Sequence, residues 1–435
     1  MLDESSTSHA EFPSSTDVLV VGAGPAGCAA AITAARRGLK VVMIDKAGFP
    51  RDKCCGDGLT TLALRQLETL GFDRSSVQSW QDVDGAWLRS PSGREVHVPL
   101  PGHGFAAVAT RMDLDAALVA LATANGVRVI ERCSFSSFHR DPADHEPVRV
   151  AHSPDDGVDV EVELLDESPG SATRRVHARW VVAADGMWSP VRKAAGFVDP
   201  GYRGEWHAFR QYARKVTGPA ADRLIIWFEP DLLPGYAWSF PLPGNRANLG
   251  FGILRDGERR IQDMAGLWRD LLDRPHVRAA LGPESELEGR HTAWPIPARV
   301  DRSPSGSGRI LFVGDAVAAC DVLTGEGIGQ ALLTGALAAD SIVEGGSPRE
   351  VRRRYRRHLD EHLRADHKMS AVLSRVLAHE RGARGAISIL DRSGDWARRN
   401  FARWMFEDEP RAIAVSPRRW HRHLFARPGA WSGRP

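Results

Sequence analysis

The sequence predicts an α/β protein: a Rossmann-like parallel-sheet domain interleaved with an antiparallel-sheet domain, plus a helical C-terminal region. Three observations predict it. Residues 18–21 form a continuous apolar run that leads straight into Gly22-Ala-Gly-Pro-Ala-Gly27 and an alanine-rich stretch, as a strand buried on both faces of a parallel sheet does. Two later apolar runs, residues 180–184 and 309–313, end in Asp185-Gly186 and Gly314-Asp315, as further strands of that sheet would. Between them, residues 206–300 change character, with strand-like and unusually aromatic segments at 223–229, 236–240 and 248–253.

Taken in order, the strand that ends at Val21 passes into a helix over 28–37, and Gly38 ends it before Lys40-Val-Val-Met-Ile-Asp45, a second buried strand. Gly22 permits the tight turn, Gly24 lets backbone approach a phosphate, and Gly27 allows close helix packing. Pro25 and Ala26 belong to the helix opening, whose free N–H groups and positive dipole end suit a pyrophosphate. Asp45, with Lys46 beside it, stands where a carboxylate accepts ribose hydroxyls. Strand, turn, helix, strand and terminal acid at these spacings read as a dinucleotide site, a stronger signal than the glycines alone.

Residues 46–58 are too rich in Gly, Pro and charge to be regular. They lie beside the dinucleotide and lead into a helix over 59–70. Arg51, Cys55 and Gly56 fall in this loop. Cys55 fits either a buried thiol in a tight turn or a group facing the ligand, and without a His/Cys cluster it does not suggest a metal. Residues 80–108 alternate as antiparallel strands around Pro91-Ser-Gly93. A helix opens at Thr110 and ends at Gly126. Its Arg111 suits a phosphate or an ordinary surface cation.

Residues 127–130 read as a strand and 134–182 as a meander with strands at 148–150, 158–164 and 176–182. Asp185 and Gly186 then fall at the carboxyl edge of the sheet, where open α/β folds bind ligands. In 236–240, alternation sets Tyr236, Trp238 and Phe240 on one face, as plain core or as the wall of an apolar pocket. A helix is expected over 258–272. Gly325, Gly327 and Ile328 belong to a second glycine-rich turn, Leu323-Thr-Gly-Glu-Gly-Ile-Gly329, before a helix over 330–343. Such a turn can offer N–H groups and dipole to the redox-active end of a cofactor. No second complete strand–GxGxxG–helix unit is present for a nicotinamide dinucleotide, so one bound dinucleotide plus an external reductant is expected.

At 435 residues the chain exceeds one small core. The expected divisions are a disordered tail (1–15), a nucleotide domain in three parts (16–80, 109–200, 301–345), a second domain (81–108 and 201–300) and a helical region (346–435). A net charge of +2 from 57 basic and 55 acidic residues gives no pull toward nucleic acid. Five cysteines without regular spacing do not form a secreted disulfide framework. The tail lacks the basic and apolar regions of a signal peptide, and no apolar run nears the ~20 residues that span a bilayer. A cytoplasmic protein is expected. The basic, aromatic stretches at 351–357 and 417–427 read as solvated helix faces or as peripheral contacts with an anionic membrane.

The order GxGxxG, Arg111 helix, Asp185-Gly186, Gly314-Asp315 resembles the FAD-dependent monooxygenase superfamily of p-hydroxybenzoate-hydroxylase type. Within it the chain is similar to the geranylgeranyl reductase family, including menaquinone reductase-like enzymes. The loop Arg51-Asp-Lys-Cys-Cys-Gly56 matches the family's R-x-K-x-C-G, and Tyr236, Trp238, Phe240 and Pro241 match its Y-x-W-x-F-P. The resemblance implies FAD bound through Gly22, Gly24, Pro25, Ala26, Gly27, Asp45, Lys46, Arg51, Arg111, Asp185, Gly186, Gly314, Asp315, Gly325, Gly327 and Ile328, with Cys55 and Gly56 beside the isoalloxazine and Cys55 as the catalytic candidate. It implies that reduced flavin saturates an isoprenoid carbon–carbon double bond, with hydride from the flavin and a proton from an acid or water. Tyr236, Trp238 and Phe240 would enclose the lipophilic substrate, and NADPH or a separate reductase would supply electrons. Related flavoenzymes hydroxylate or halogenate secondary metabolites, which is the alternative chemistry. The family often has proline where Val322 stands.

Overall fold

The structure, a computed structural model, describes residues 12–100, 104–139, 157–166, 173–255, 263–407, 409–412 and 429–431. The strand expected at 148–150, the start of the helix expected at 258 and the basic stretch 417–427 lie outside these residues.

The parallel sheet forms on the apolar runs. Ser15–Val21 lies between Val41–Ile44 and Thr173–Ala183 and is parallel to both. Arg128–Ile130 and Ile310–Phe312 extend it on either side in the same direction. Residues 18–21 and 41–44 are all buried, as a sheet covered on both faces requires. Cys133–Phe138 and Val158–Leu164 continue antiparallel from the long strand, forming the expected meander. Helix Pro25–Arg36 packs against helix Ile328–Val343, and a side chain at Gly335 would run into the Ala26 carbonyl. Small residues thus bring the start of the first helix against the middle of the second.

The second sheet runs, in spatial order, Glu286–Ile296, Trp206–Arg214, Arg246–Leu254, Tyr236–Leu242, Leu224–Trp227, Gly85–Arg89 and Glu95–Pro99. Its neighbours are antiparallel except Leu224–Trp227 with Gly85–Arg89, which run parallel. These two strands come from distant parts of the chain, so no hairpin sets their direction. One face carries Phe209 stacked on Phe251 and Phe251 on Trp268 of helix Met264–Asp273, with ring centroids 5.3 and 5.8 Å apart. The other face, bearing Tyr236, Trp238 and Phe240, turns toward the glycine-rich loops.

Among the described residues the C-terminal α-helices are Pro348–Leu359, Ala365–Leu377, Glu380–Arg392 and Asp395–Met405, with a π-helical turn Asp360–Arg364 joining the first two. The first is anchored to the parallel sheet by Tyr355, whose hydroxyl donates to the Phe312 carbonyl at 2.8 Å. Arg352, Arg354 and Arg356 donate to the carbonyls of Gly308, Ser341 and Ser303. These arginines of the basic run therefore fasten the preceding helix and the turns around residues 303 and 308 instead of standing free in solvent. Among the described residues no helix is long and apolar enough to cross a membrane.

Candidate functional site

The first glycine turn is shaped by contacts that no side chain could share. Gly22 sits at φ +102°, and a Cβ there would strike the Ala184 carbonyl; at Gly27 it would strike the Gly22 carbonyl. Helix Pro25–Arg36 starts with Gly24 at its N-cap, Pro25 at its first position and no side-chain cap, which leaves its opening N–H groups for an anion. Asp45 is buried and braces this turn, its Oδ2 accepting from the Ala23 amide at 2.7 Å and its Oδ1 from the Ala47 amide at 2.8 Å. Lys46 is exposed beside it.

Arg111 is not a surface cation. It is buried and grips Asp115 with Nε at 2.8 Å and Nη2 at 2.7 Å. Arg51 Nη1 lies 2.8 Å from the same carboxylate but makes no hydrogen bond of its own. Both guanidinium groups come within 3.8 Å of where a Gly24 side chain would begin. Two cations sharing one buried anion leave net positive charge against the turn, where a diphosphate fits. Asp185 accepts from the Val191 amide at 3.0 Å through Oδ2, while its Oδ1 is enclosed without a partner. Burial pushes its carboxyl up to about 6. Gly186 takes φ +82° and Gly314 φ +57°, with Asp315 next to it 3.7 Å from Lys53 Nζ.

At the other end of the turn lies a cavity of about 410 Å³. Pro25, Cys55, Gly56, Arg111, Asp315, Gly325, Gly327 and Ile328 reach it from one side, and Tyr236, Trp238 and Phe240 from the sheet. The three rings form a row with centroids 6.0 Å apart. Trp238 faces Gly250 and Tyr236 faces Gly252 across the strand pair, and a Cβ at Gly250 would run into the Trp238 indole. A Cβ at Gly58 would press on the Phe240 ring at 3.0 Å, while one at Gly56 would only touch Trp238 and Phe240. The aromatic row is therefore pocket wall. Helices Ala365–Leu377 and Glu380–Arg392 complete it with Leu373, Leu377, Ile387 and Leu390.

Gly22, Gly24, Asp45, Lys46, Arg51, Asp185, Gly186 and Gly314 stand outside this cavity, on the side of the glycine turn; Ala26 and Gly27 lie in the helix opening. The split suits a long ligand with its phosphates at one end and its reactive ring at the other.

The Cys loop is held by polar groups that sequence reasoning left unassigned. Asn248 donates to the Cys55 carbonyl at 2.9 Å and to Asp57 Oδ2 at 2.8 Å, and Tyr212 donates to the same oxygen at 2.6 Å. Arg210 reaches Asp52 at 2.6 Å and the Lys53 carbonyl at 3.1 Å. Burial pushes Asp57 up to about 6. Desolvation carries the Cys55 thiol up to about 12, so it stays a protonated thiol at neutral pH. In the second glycine-rich turn Glu326 is raised to about 8 by desolvation and by the negative charge of Glu407. Glu407 itself is raised to about 7 by desolvation. Buried Arg411 reaches Asp321 Oδ2 at 2.6 Å and the Ser370 hydroxyl at 3.0 Å. Among the described residues no cluster of His, Cys, Asp and Glu could hold a metal.

Comparison with known proteins agrees with this geometry. A family model described as FAD binding domain matches residues 15–333. A menaquinone reductase of Mycolicibacterium smegmatis is 32% identical over 351 residues, 76% of this chain and 77% of that protein. Digeranylgeranylglycerophospholipid reductase 1 of Methanopyrus kandleri is 34% identical over 342 residues, 75% of this chain and 80% of that protein. Among solved structures, a geranylgeranyl bacteriochlorophyll reductase-like protein of Thermoplasma acidophilum shares the fold at TM-score 0.74 and 23% identity, covering 93% of this chain and 99% of that one. A flavin-dependent brominase also shares the fold, at TM-score 0.69, 20% identity, and 92% and 97% coverage. With a matching FAD-binding domain over most of its length and reductase relatives above 30% identity, the chain belongs to the geranylgeranyl reductase family of FAD-dependent oxidoreductases.

Proposed function

We propose that this enzyme saturates a carbon–carbon double bond of an isoprenoid or similarly lipophilic substrate. The observation that carries this is the aromatic-walled apolar chamber opening directly onto the Cys55–Gly56 and Thr324–Ile328 loops. The glycine turn, Arg51 and Arg111 would hold the FAD diphosphate, and Asp45 would meet the ribose. Asp185, Gly314 and Asp315 line the way to the ring end, where Cys55, Gly56, Gly325 and Gly327 leave room for a flat heterocycle. Bound FAD, reduced by NADPH or another external donor, supplies a hydride to the substrate.

The remaining work falls to the chain. Tyr236, Trp238 and Phe240 align the prenyl chain and present ring faces to the positive charge that develops as the alkene is reduced. The apolar walls exclude water from it. Tyr236 is fixed by its hydroxyl donating to the Thr324 carbonyl, and Trp238 by its indole N–H donating to Asn248 Oδ1 at 3.1 Å. The row is thus pre-oriented on both sides.

The same reading has the substrate arriving from a bilayer surface. The helices that line the chamber also expose Val372, Val376, Ile389 and Trp396, the last two at 72% and 68%. Apolar groups on amphipathic helices insert at such an interface.

Anaerobic turnover tests the reduction. Photoreduced enzyme given a short-chain menaquinone or a geranylgeranyl lipid without oxygen should yield the product with one double bond saturated. An oxygen-dependent hydroxylated or halogenated product, with no saturation under nitrogen, would overturn the proposal.

A further inference from the structure

Glu326 sits in the glycine-rich turn that lines the chamber together with the Cys55 loop. Its Oε1 accepts from the Ile328 amide at 3.0 Å, and the residue lines the cavity together with Cys55, Tyr236 and Trp238. Among the other proton-bearing groups that line this end, three are the main competitors. Asp57 is saturated by Tyr212, Asn248 and, at 3.3 Å, the Arg111 amide. Asp315 lies beside Lys53 and accepts from the Cys320 thiol. Cys55 accepts from the Asp57 amide at 3.3 Å and is a very weak acid. Glu326 alone combines a place on the wall with a carboxyl bonded only along its own turn.

We propose that Glu326 is the catalytic acid of the reduction, handing its carboxyl proton to the alkene carbon opposite the one that receives hydride. This rests on the reductase reading above. In the step the Glu326 O–H bond breaks and a C–H bond forms with the π electron pair. The second C–H bond is made by hydride from the reduced cofactor, which is oxidised by two electrons. Glu326 is left as a carboxylate and regains a proton from water when product leaves.

The surroundings suit this cycle. Desolvation presses a proton onto Glu326, and the charges of Glu407 and, less, Asp321 add to it. Arg411 lies 2.6 Å from Asp321 and 3.5 Å from Glu407, so its charge falls on those two carboxylates and not directly on Glu326. Tyr236, Cys55 and Cys320, which also feel its charge, are themselves held protonated by burial. A carboxyl with its proton poised near neutral pH is matched to acid catalysis.

The test uses FAD-loaded wild type, Glu326→Gln and Glu326→Asp, with FAD content and thermal midpoint measured alongside. At pH 7 infrared difference spectra of wild type against Glu326→Gln should show loss of one protonated-carboxyl C=O band, with or without substrate. In anaerobic single turnovers on the same menaquinone and geranylgeranyl lipid, Glu326→Gln should be about 100-fold slower or more, the usual worth of a positioned acid, with dithionite reduction of the flavin unchanged. The wild-type rate should fall as pH rises past about 8, a limb that Glu326→Gln lacks and Glu326→Asp keeps. Turnover of Glu326→Gln within twofold of wild type, or a retained high-pH limb, would overturn the assignment. Should wild type saturate neither lipid, the reductase reading fails, and the carboxyl band still decides: its persistence in Glu326→Gln overturns Glu326 as the acid.

Discussion

Cys55 and Glu326 face the same chamber with opposite acid–base character. Because burial carries the Cys55 thiol up to about 12, it stays protonated at neutral pH, and on the reading proposed above it acts through shape and packing at the ring end of the cofactor. Cys55→Ser should therefore retain FAD and lose about tenfold or less in rate, well short of what a missing general acid costs; stopped-flow turnover beside the flavin spectrum would check this. The glycines of the first turn could be read from sequence because the backbone there tolerates nothing larger, as the clash at Gly27 shows. Asp57 and Glu326 could not. Each lies inside a quoted motif, yet its ionisation depends on Tyr212, Asn248 and Glu407, residues 81 to 191 positions away. Arg111 shows the same limit: Asp115 is its i,i+4 neighbour on the helix, but the burial of the pair and the approach of Arg51, which exclude an ordinary surface cation, come only with the fold.

At the scale of elements, alternation in 236–240 was legible and the purpose of the facing strand was not. Gly250 and Gly252 lie opposite Trp238 and Tyr236, which only the register reveals. Gly250→Ala should drive the Trp238 indole out of the row, destabilise the protein by about 1–3 kcal/mol as overpacking does, and raise the substrate Kd before FAD is lost. Thermal melts and lipid binding by fluorescence would show it. Trp238→Ala should weaken lipid binding with FAD content intact, whereas loss of flavin first would make the ring structural. Strand Glu286–Ile296 went unpredicted because it is a solvent-facing edge with little apolar alternation. Strand Trp206–Arg214 is buried almost throughout and mixes His, Arg and Gln with its rings, so no period of two marks it. The C-terminal helices make a further prediction. Trp396→Ser and Ile389→Ser should lower cosedimentation with phosphatidylglycerol vesicles and leave turnover of detergent-dispersed lipid unchanged, since neither lies among the chamber-lining residues.

Across the whole molecule, the C-terminal segment closes the chamber by locking onto the nucleotide domain through ionisable groups. Thr60 donates to Glu407 at 3.0 Å and Gln330 at 2.8 Å, the Phe406 carbonyl accepts from the Thr61 amide at 2.8 Å, and Arg411 reaches across to Asp321. Nothing in the sequence joins residues 60, 330 and 407; the chain must fold before these groups meet. Glu326 rises from 4.5 to about 8 and Glu407 from 4.5 to about 7 in the folded protein, so the native state holds protons that the unfolded chain releases. Their contribution to stability is complete below pH 4.5 and is lost as pH rises through 7 to 8. Carboxyls with lowered values, such as Glu229 and Glu288, act in the opposite sense but only below pH 4.5. His97 and His207, both lowered by burial, also oppose the trend and are common to wild type and variant. The difference between the two isolates the clasp. Glu407→Gln should start less stable than wild type at pH 5 and converge on it, or surpass it, by pH 8. Midpoints of thermal unfolding at half-unit pH steps would show that convergence, and two parallel curves would mean that Glu407 keeps its charge in the folded enzyme and the clasp is an ordinary ion pair.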